Sequence, residues 1–118
     1  MANKNSESTR FFSDAHEKSV CKALGARQQS NSGAALFAAG DVVQEDASLL
    51  VECKTCMNEK ESFSIKADWL RKNRDEAFSK RLQNYCLAFN FGPGQPNYYV
   101  INESLMKQLV EYLEESLK

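Results

Sequence analysis

The sequence predicts a single α/β domain in which one mixed β-sheet is flanked by helices. Three observations lead there. A chain of 118 residues, 42% hydrophobic and 26% charged, has room for one modest core. Helical and strand patterns alternate along it in the order α-β-β-β-α-β-β-α, as in domains built around one sheet. No apolar run approaches the roughly 20 residues that a membrane-spanning helix needs.

Each element has a local reason. Residues 1–10 are polar, lack the apolar stretch of a secretory signal, and read as a short disordered arm; the domain proper is expected over residues 11–118. Ser13 is placed to cap a helix over 13–24, with Phe12, Ala15, Val20, Ala23 and Leu24 on one broad face and Gly25 to end it. Residues 26–33 are polar and read as an extended segment running into a loop. Residues 34–39 are small and apolar and end at Gly40. A short strand begins at Asp41, Glu45-Asp46 suits a hairpin turn, and residues 48–54 form a second strand with an apolar start at Leu49, Leu50 and Val51. A charged loop over 58–61 leads to a helix from Ile65 to about Lys80. Its apolar side, near Ile65, Trp69, the Lys72 stem and Ala77, with Glu76 alongside, is thin, so most of it should be exposed. Residues 84–91 read as a central strand, 92–96 (Gly-Pro-Gly-Gln-Pro) as a turn, and 97–101 as a further strand. Asn102 caps a last helix in which Leu105, Leu109, Leu113 and Leu117 recur every four residues, joined by Met106 and Val110.

The net charge of −1 argues mildly against a dedicated DNA-coating protein. Its distribution is less neutral. Residues 60–81 hold seven bases (Lys60, Lys66, Arg71, Lys72, Arg74, Lys80, Arg81) against four acids, whereas residues 82–118 hold four acids and two bases. A basic face with an acidic back suits phosphate binding. The four cysteines (Cys21, Cys53, Cys56, Cys86) read as reduced thiols of a cytoplasmic protein, because no signal segment accompanies them.

The pattern that carries chemistry is Gly40-Asp41-Val42, ten residues, then Glu52-Cys53-Lys54. Residues i and i+2 of a strand share a face. Glu52 and Lys54 therefore emerge together, with Cys53 turned into the protein. Pairing through the Glu45-Asp46 turn brings Asp41 to the same end of the sheet as Glu52. Two converging carboxylates suit Mg²⁺ or Mn²⁺, which polarises a phosphate and acidifies bound water. Lys54 beside them can orient that water or neutralise charge developing on phosphorus. By itself D-x(10)-E-x-K is common by chance. It is joined here by Glu17 on the opening helix, by Ser30 and Ser32, whose hydroxyls can hold a phosphate, and by the basic helix, which can track a DNA backbone. His16, the single histidine, reads as a bystander.

This order of Glu17, a Ser-rich stretch, Gly40-Asp41-Val42 and Glu52-Cys53-Lys54-Thr55 resembles the archaeal-type and phage Holliday junction resolvases of the PD-(D/E)xK superfamily. Residues 62–66 (Ser-Phe-Ser-Ile-Lys) and 87–92 (Leu-Ala-Phe-Asn-Phe-Gly) extend the likeness, which spans roughly residues 11–101. The resemblance implies a restriction-endonuclease-like fold and a Mg²⁺-dependent endodeoxyribonuclease acting on branched DNA as a homodimer, cytoplasmic in a bacterial host. It implies Asp41, Glu52, Glu17 and the Cys53 backbone carbonyl as metal ligands and Lys54 as the catalytic lysine. Ser30, Ser32, Lys66, Arg71, Lys72, Arg74, Lys80 and Arg81 would contact DNA. The chain is less basic than those resolvases usually are.

Other readings compete. A restriction- or repair-type endonuclease on duplex DNA would use the same residues. Cys53-Lys54-Thr55-Cys56 is a C-x-x-C, but four zinc ligands would have to be completed from Cys21, Cys86 and His16 without a second C-x-x-C. A non-catalytic interaction protein would use the C-terminal leucine helix, which can equally pack on its own sheet or form a dimer interface.

Overall fold

The computed structural model describes residues 2–29 and 41–118, with side chains from Thr9 onward within those ranges. The elements are α1 (Ala2–Leu24), β1 (Arg27–Gln28), β2 (Asp41–Gln44), β3 (Leu49–Lys54), α2 (Ala67–Ser79), β4 (Asn84–Phe89), β5 (Tyr98–Ile101) and α3 (Glu103–Ser116). Their order is the one expected from the sequence. The first helix, however, starts at Ala2 and takes in the stretch expected as a disordered arm. Residues 2–10 contain neither Pro nor Gly, so nothing in them breaks a helix continuing from the core-packed turns.

The five strands form one mixed sheet in the order β1-β2-β3-β4-β5. β2 and β3 make the expected hairpin, with Gln44 opposite Leu49 and Asp41 opposite Glu52. Its tip closes by a bond from the Ser48 amide to the Glu45 carbonyl (3.0 Å), and Ser48 takes a left-handed backbone, φ 51°. β3 then pairs with β4 in parallel, Glu52 opposite Leu87 and Lys54 opposite Phe89. A parallel neighbour needs a crossover, and α2 is that crossover. β4 and β5 are antiparallel, which leaves β5 as an edge.

Helix ends follow local chemistry. At the end of α1, Gly25 adopts φ 63° and the Ala26 amide bonds back to the Cys21 carbonyl (3.0 Å). α2 ends in the same way, from the Leu82 amide to the Ala77 carbonyl (2.8 Å), but Arg81 occupies the left-handed position at φ 59°. Asn102 caps α3 by accepting from the Leu105 amide at 2.8 Å, and its own amide donates to the Tyr85 hydroxyl.

Strand alternation divides the core in two. On the α1 side Val20 packs with Val42, Val51, Cys53, Cys86 and Ala88. On the α2 side Val43, Leu50 and Ala77 pack with Leu82 and Tyr85. Asp41, Glu52 and Lys54 belong by the same alternation to the α2 side. α2 is as exposed as its thin apolar stripe implied, with Asn73 and Ala77 its buried residues. Among the described residues no helix is long and apolar enough to cross a membrane.

Leu87 is fully buried in the strand that joins the two hairpins. Leu87→Ala is expected to lower stability by about 2–5 kcal/mol through lost burial and a residual cavity. Chemical denaturation at constant m-value checks this.

Candidate metal centre

Asp41 sits at the first position of β2, Glu52 directly opposite it in β3, and both point towards α2. One turn before the end of that helix, Glu76 reaches down to them. Ligand oxygens of Asp41, Glu52 and Glu76 all lie within 4.8 Å of one another. Asp41 is 5% exposed, so this is a group of carboxylates partly withdrawn from water. Glu52 Oε2 is buried and has no hydrogen-bond partner among the described residues.

Such a group repels itself unless protons or cations intervene. Two ammonium groups stand at its edges. Lys80 Nζ lies 3.5 Å from Asp41 Oδ2 and 3.2 Å from Glu76 Oε2. Lys54 Nζ lies 3.8 Å from Glu52 Oε1. Lys54 is also held from the other side, 4.4 Å above the centre of the Trp69 ring. Trp69 leans on Phe63, which stacks on Phe89 with centroids 4.9 Å apart. Phe89 is the cross-strand partner of Lys54. Register and an aromatic wall thus aim one lysine along the acidic group.

The electrostatics follow. Burial, then a hydrogen bond and the charge of Glu76, push the Asp41 carboxyl up to about 8 despite nearby Lys80. Burial also raises Glu52, against the pull of Lys54. Glu76 moves the other way, chiefly because Asp41 donates a hydrogen bond to it and Lys80 lies beside it. Asp41 is thereby held protonated at neutral pH, hydrogen-bonded to Glu76. A divalent cation held there would take the place of that proton and supply the balancing charge. The donor set is all carboxylate oxygen, which matches a hard ion such as Mg²⁺ or Mn²⁺ and not a thiol-seeking one.

Glu17 lies elsewhere. It shares the α1 face with Val20, Cys21 and Leu24, which pack under Val42 and Cys53 on the other side of the sheet. It is buried there, accepts a bond from the Gln28 side chain at 3.3 Å, and its charge helps hold the Cys21 and Cys53 thiols protonated. The structure does not bring Glu17 to the carboxylate group. The helix-borne acid that arrives is Glu76, which the sequence showed only as one polar residue along a helix. The signal was available in part: Glu76 adjoins the buried Ala77 and precedes Lys80 by one turn. Cys53 lies between Glu52 and Lys54 with its side chain in the core on the α1 side, as strand alternation required.

The remaining expected contacts are scattered in role. Ser30 and Ser32 lie outside the described residues. Arg71 and Lys72 both reach Asp68, at 3.7 and 3.1 Å, and Arg74 reaches Asp75 at 3.1 Å. These are exposed pairs, weak enough for phosphate to compete for the cations. Lys66 hangs over Trp69 at 5.6 Å. Lys80 is the departure, since it faces the acids. Arg71 and Arg74 line a shallow groove with Leu70, Tyr85 and Val100. Arg74 and Arg81 continue along Phe78 and Tyr85.

The cysteines do not assemble. All four are free thiols, Cys56 donates to the Asn58 carbonyl at 3.0 Å, and burial raises Cys53 and Cys86. Among the described residues the one group of three metal-competent side chains is Asp41, Glu52 and Glu76. His16 is buried and bonds Thr55 Oγ1 at 3.0 Å. Compared with protein-family models, curated proteins and solved structures, the chain finds no match in any of the three.

The raised carboxyls make stability depend on pH with a definite sign. Between the ordinary Asp value of 3.8 and the folded value of about 8, the folded chain binds more protons at Asp41 than the unfolded chain does. Stability contributed there falls as pH rises through that window, and Glu52 acts in the same direction. Glu76 is lowered, so its contribution is lost only at acid pH, below its ordinary range. The metal-free protein should therefore melt lower near pH 8 than near pH 5, and Asp41→Asn should flatten the dependence. Thermal melts of both forms across that range check it; a wild-type melting temperature that climbs to pH 8 contradicts the assignment.

Proposed function

We propose that this chain is a divalent-metal-dependent endonuclease that hydrolyses DNA phosphodiester bonds, with Asp41, Glu52 and Glu76 as metal ligands and Lys54 as the catalytic lysine. The observation that supports it is the convergence of three carboxylates on one sheet face with an ammonium beside them. When bound there, a Mg²⁺ or Mn²⁺ ion supplies Lewis acidity towards phosphate and lowers the pKa of water.

The chain's own residues supply the rest. Glu52, with an oxygen lacking a hydrogen-bond partner among the described residues, is set to act as a ligand without losing an existing bond. Lys54 is braced by Trp69, so its Nζ is positioned before substrate arrives. In that place it donates to a non-bridging phosphate oxygen or orients the attacking water, and offsets the charge that develops on phosphorus. Lys80 serves as the internal counter-ion of Asp41 and Glu76 until a metal takes over that charge. The arginines of α2 and its C-terminal turn meet the DNA backbone, and affinity resides there more than in the acids. Branched DNA of the four-way kind is the proposed substrate, on the likeness to resolvases in the Asp41 and Glu52-Cys53-Lys54 motifs. A zinc or redox module is less well supported, because no three of the cysteines and His16 meet among the described residues.

Cleavage of labelled four-way, flapped and linear DNA in Mg²⁺ tests this reading. Asp41→Asn, Glu52→Gln and Glu76→Gln should each abolish cutting while leaving most DNA affinity. Lys54→Ala should slow turnover by about two to four orders of magnitude. Glu17→Gln, on the far side of the sheet, should still cut. Full activity of Asp41→Asn in Mg²⁺ would sink the proposal, and a dead Glu17→Gln with an active Glu76→Gln would exchange the two acids.

A further inference from the structure

Where the parallel strands β3 and β4 end, a cleft of about 330 Å³ opens against α1. Open sheets commonly take ligands outside the carboxyl ends of their strands, in sites of roughly 300–1,000 Å³. α1 contributes Phe11, Phe12 and His16, and the loop after β4 contributes Pro93 and Pro96. Thr55 and Asn90, the residues just past β3 and β4, complete it. His16 is 5% exposed. Its Nδ1 is held by Thr55 Oγ1 at 3.0 Å, while its Nε2 is buried without a hydrogen-bond partner. Asn97 stands beside the ring and draws its pKa upward, but burial outweighs this and keeps the imidazole neutral at pH 7. Both ends of the Asn97 amide are engaged elsewhere, donating to Ser19 Oγ at 3.0 Å and accepting from Asn90 at 3.3 Å. A buried polar atom left unpaired costs free energy, and one that lines a cleft can recover it from a ligand. Among the described residues lining the cleft there is no Asp, Glu, Lys or Arg. Such a lining disfavours phosphate, carboxylate and ammonium groups. It suits a flat, neutral ring with hydrogen-bonding edges.

We propose that the cleft takes one unpaired nucleobase of the strand cut at the metal centre. The proposal rests on the nuclease reading and narrows its substrate to branched DNA with a base freed from its partner near the scissile phosphate. Position selects a base over other flat rings. Lys54 faces the acids on the α2 side, and Thr55, the next residue, turns to His16 on the α1 side. Consecutive Cα atoms are about 3.8 Å apart. A strand with its phosphate at Lys54 therefore brings an adjoining nucleotide to the sheet end, beside the cleft. Withdrawing a base costs least where it is already unpaired, and enzymes read such a base by stacking and by hydrogen bonds to its edge. Phe11 and Phe12 meet edge to face with centroids 5.4 Å apart, and Phe11 remains 68% exposed. An aromatic side chain so placed can stack on any base. His16 Nε2 supplies the edge contact.

The full chain is titrated in EDTA with labelled four-way DNA carrying one unpaired thymine at the branch point. The reference is the same DNA with an abasic residue there. Thymine should bind roughly tenfold tighter than the abasic residue. An apolar thymine isostere, difluorotoluene, should bind about threefold to tenfold more weakly than thymine, because it offers His16 no hydrogen bond. Ala15→Trp, at an exposed position lining the cleft, should fill it and remove the gain while keeping affinity for the abasic DNA. Phe11→Ala should lose most of the gain. Thermal melts check that both variants fold. No gain for thymine over the abasic residue, equal binding of thymine and its isostere, or a gain that survives Ala15→Trp would each overturn the proposal. Because no metal is present, the two readings fail separately. Discrimination without cleavage in Mg²⁺ supports the cleft and strikes the nuclease, and cleavage without discrimination strikes the cleft alone.

Discussion

The pairing of Asp41 with Glu52 across the β2–β3 hairpin is the contact on which the rest of the site depends. Two carboxylates set opposite each other on one face create a local excess of negative charge that the fold must answer. The answer comes from the segment returning the chain to the sheet. Because β4 lies parallel to β3, α2 crosses over the face that carries the acids, and its last turn delivers Lys80 as well as Glu76. The crossover that makes the sheet mixed is thus also what completes the centre.

Burial and charge work against each other there. Asp41 is almost wholly enclosed, and enclosure disfavours its ionised form. A rigid carboxylate group that is uncomfortable without a cation is suited to binding one, since less reorganisation is needed than at a flexible surface. Lys54 shows the complementary arrangement. Its ammonium is steadied by the Trp69 ring on one side and Glu52 on the other, so its place is set by packing as much as by charge.

The surface is uneven in the same way. The α1 side of the sheet is closed by Val20 and its neighbours, and Cys21, Cys53 and Cys86 are spent in that core. The α2 side is open past Tyr85, where arginines border an exposed Phe78. β5 and α3 present their apolar side chains outward at the far edge. The polar, charged groups thus lie on one face of the sheet and the exposed apolar side chains at its other edge.

Much of this was legible along the chain. Period-two alternation put Glu52 and Lys54 on one face and Cys53 in the core, because adjacent strand residues have no other choice. Gly25, the turn at Glu45-Asp46 and Asn102 set element ends by chemistry that acts within a few residues. The element order could be read from periodicity alone. What only the tertiary structure decided were contacts between elements far apart in sequence. Helix periodicity said that Glu17 and Glu76 each had a face, but not which face of the sheet each would meet. Val20 and Leu24 drew α1, with Glu17, to the Cys53 side, while Ala77 and Leu82 drew α2, with Glu76, to the Glu52 side. The same packing turned Lys80 from an expected DNA contact into a partner of the acids, and left the leucines of α3 uncovered. A side chain's type and spacing are properties of the local backbone, whereas its neighbours are settled by which apolar stripes bury one another.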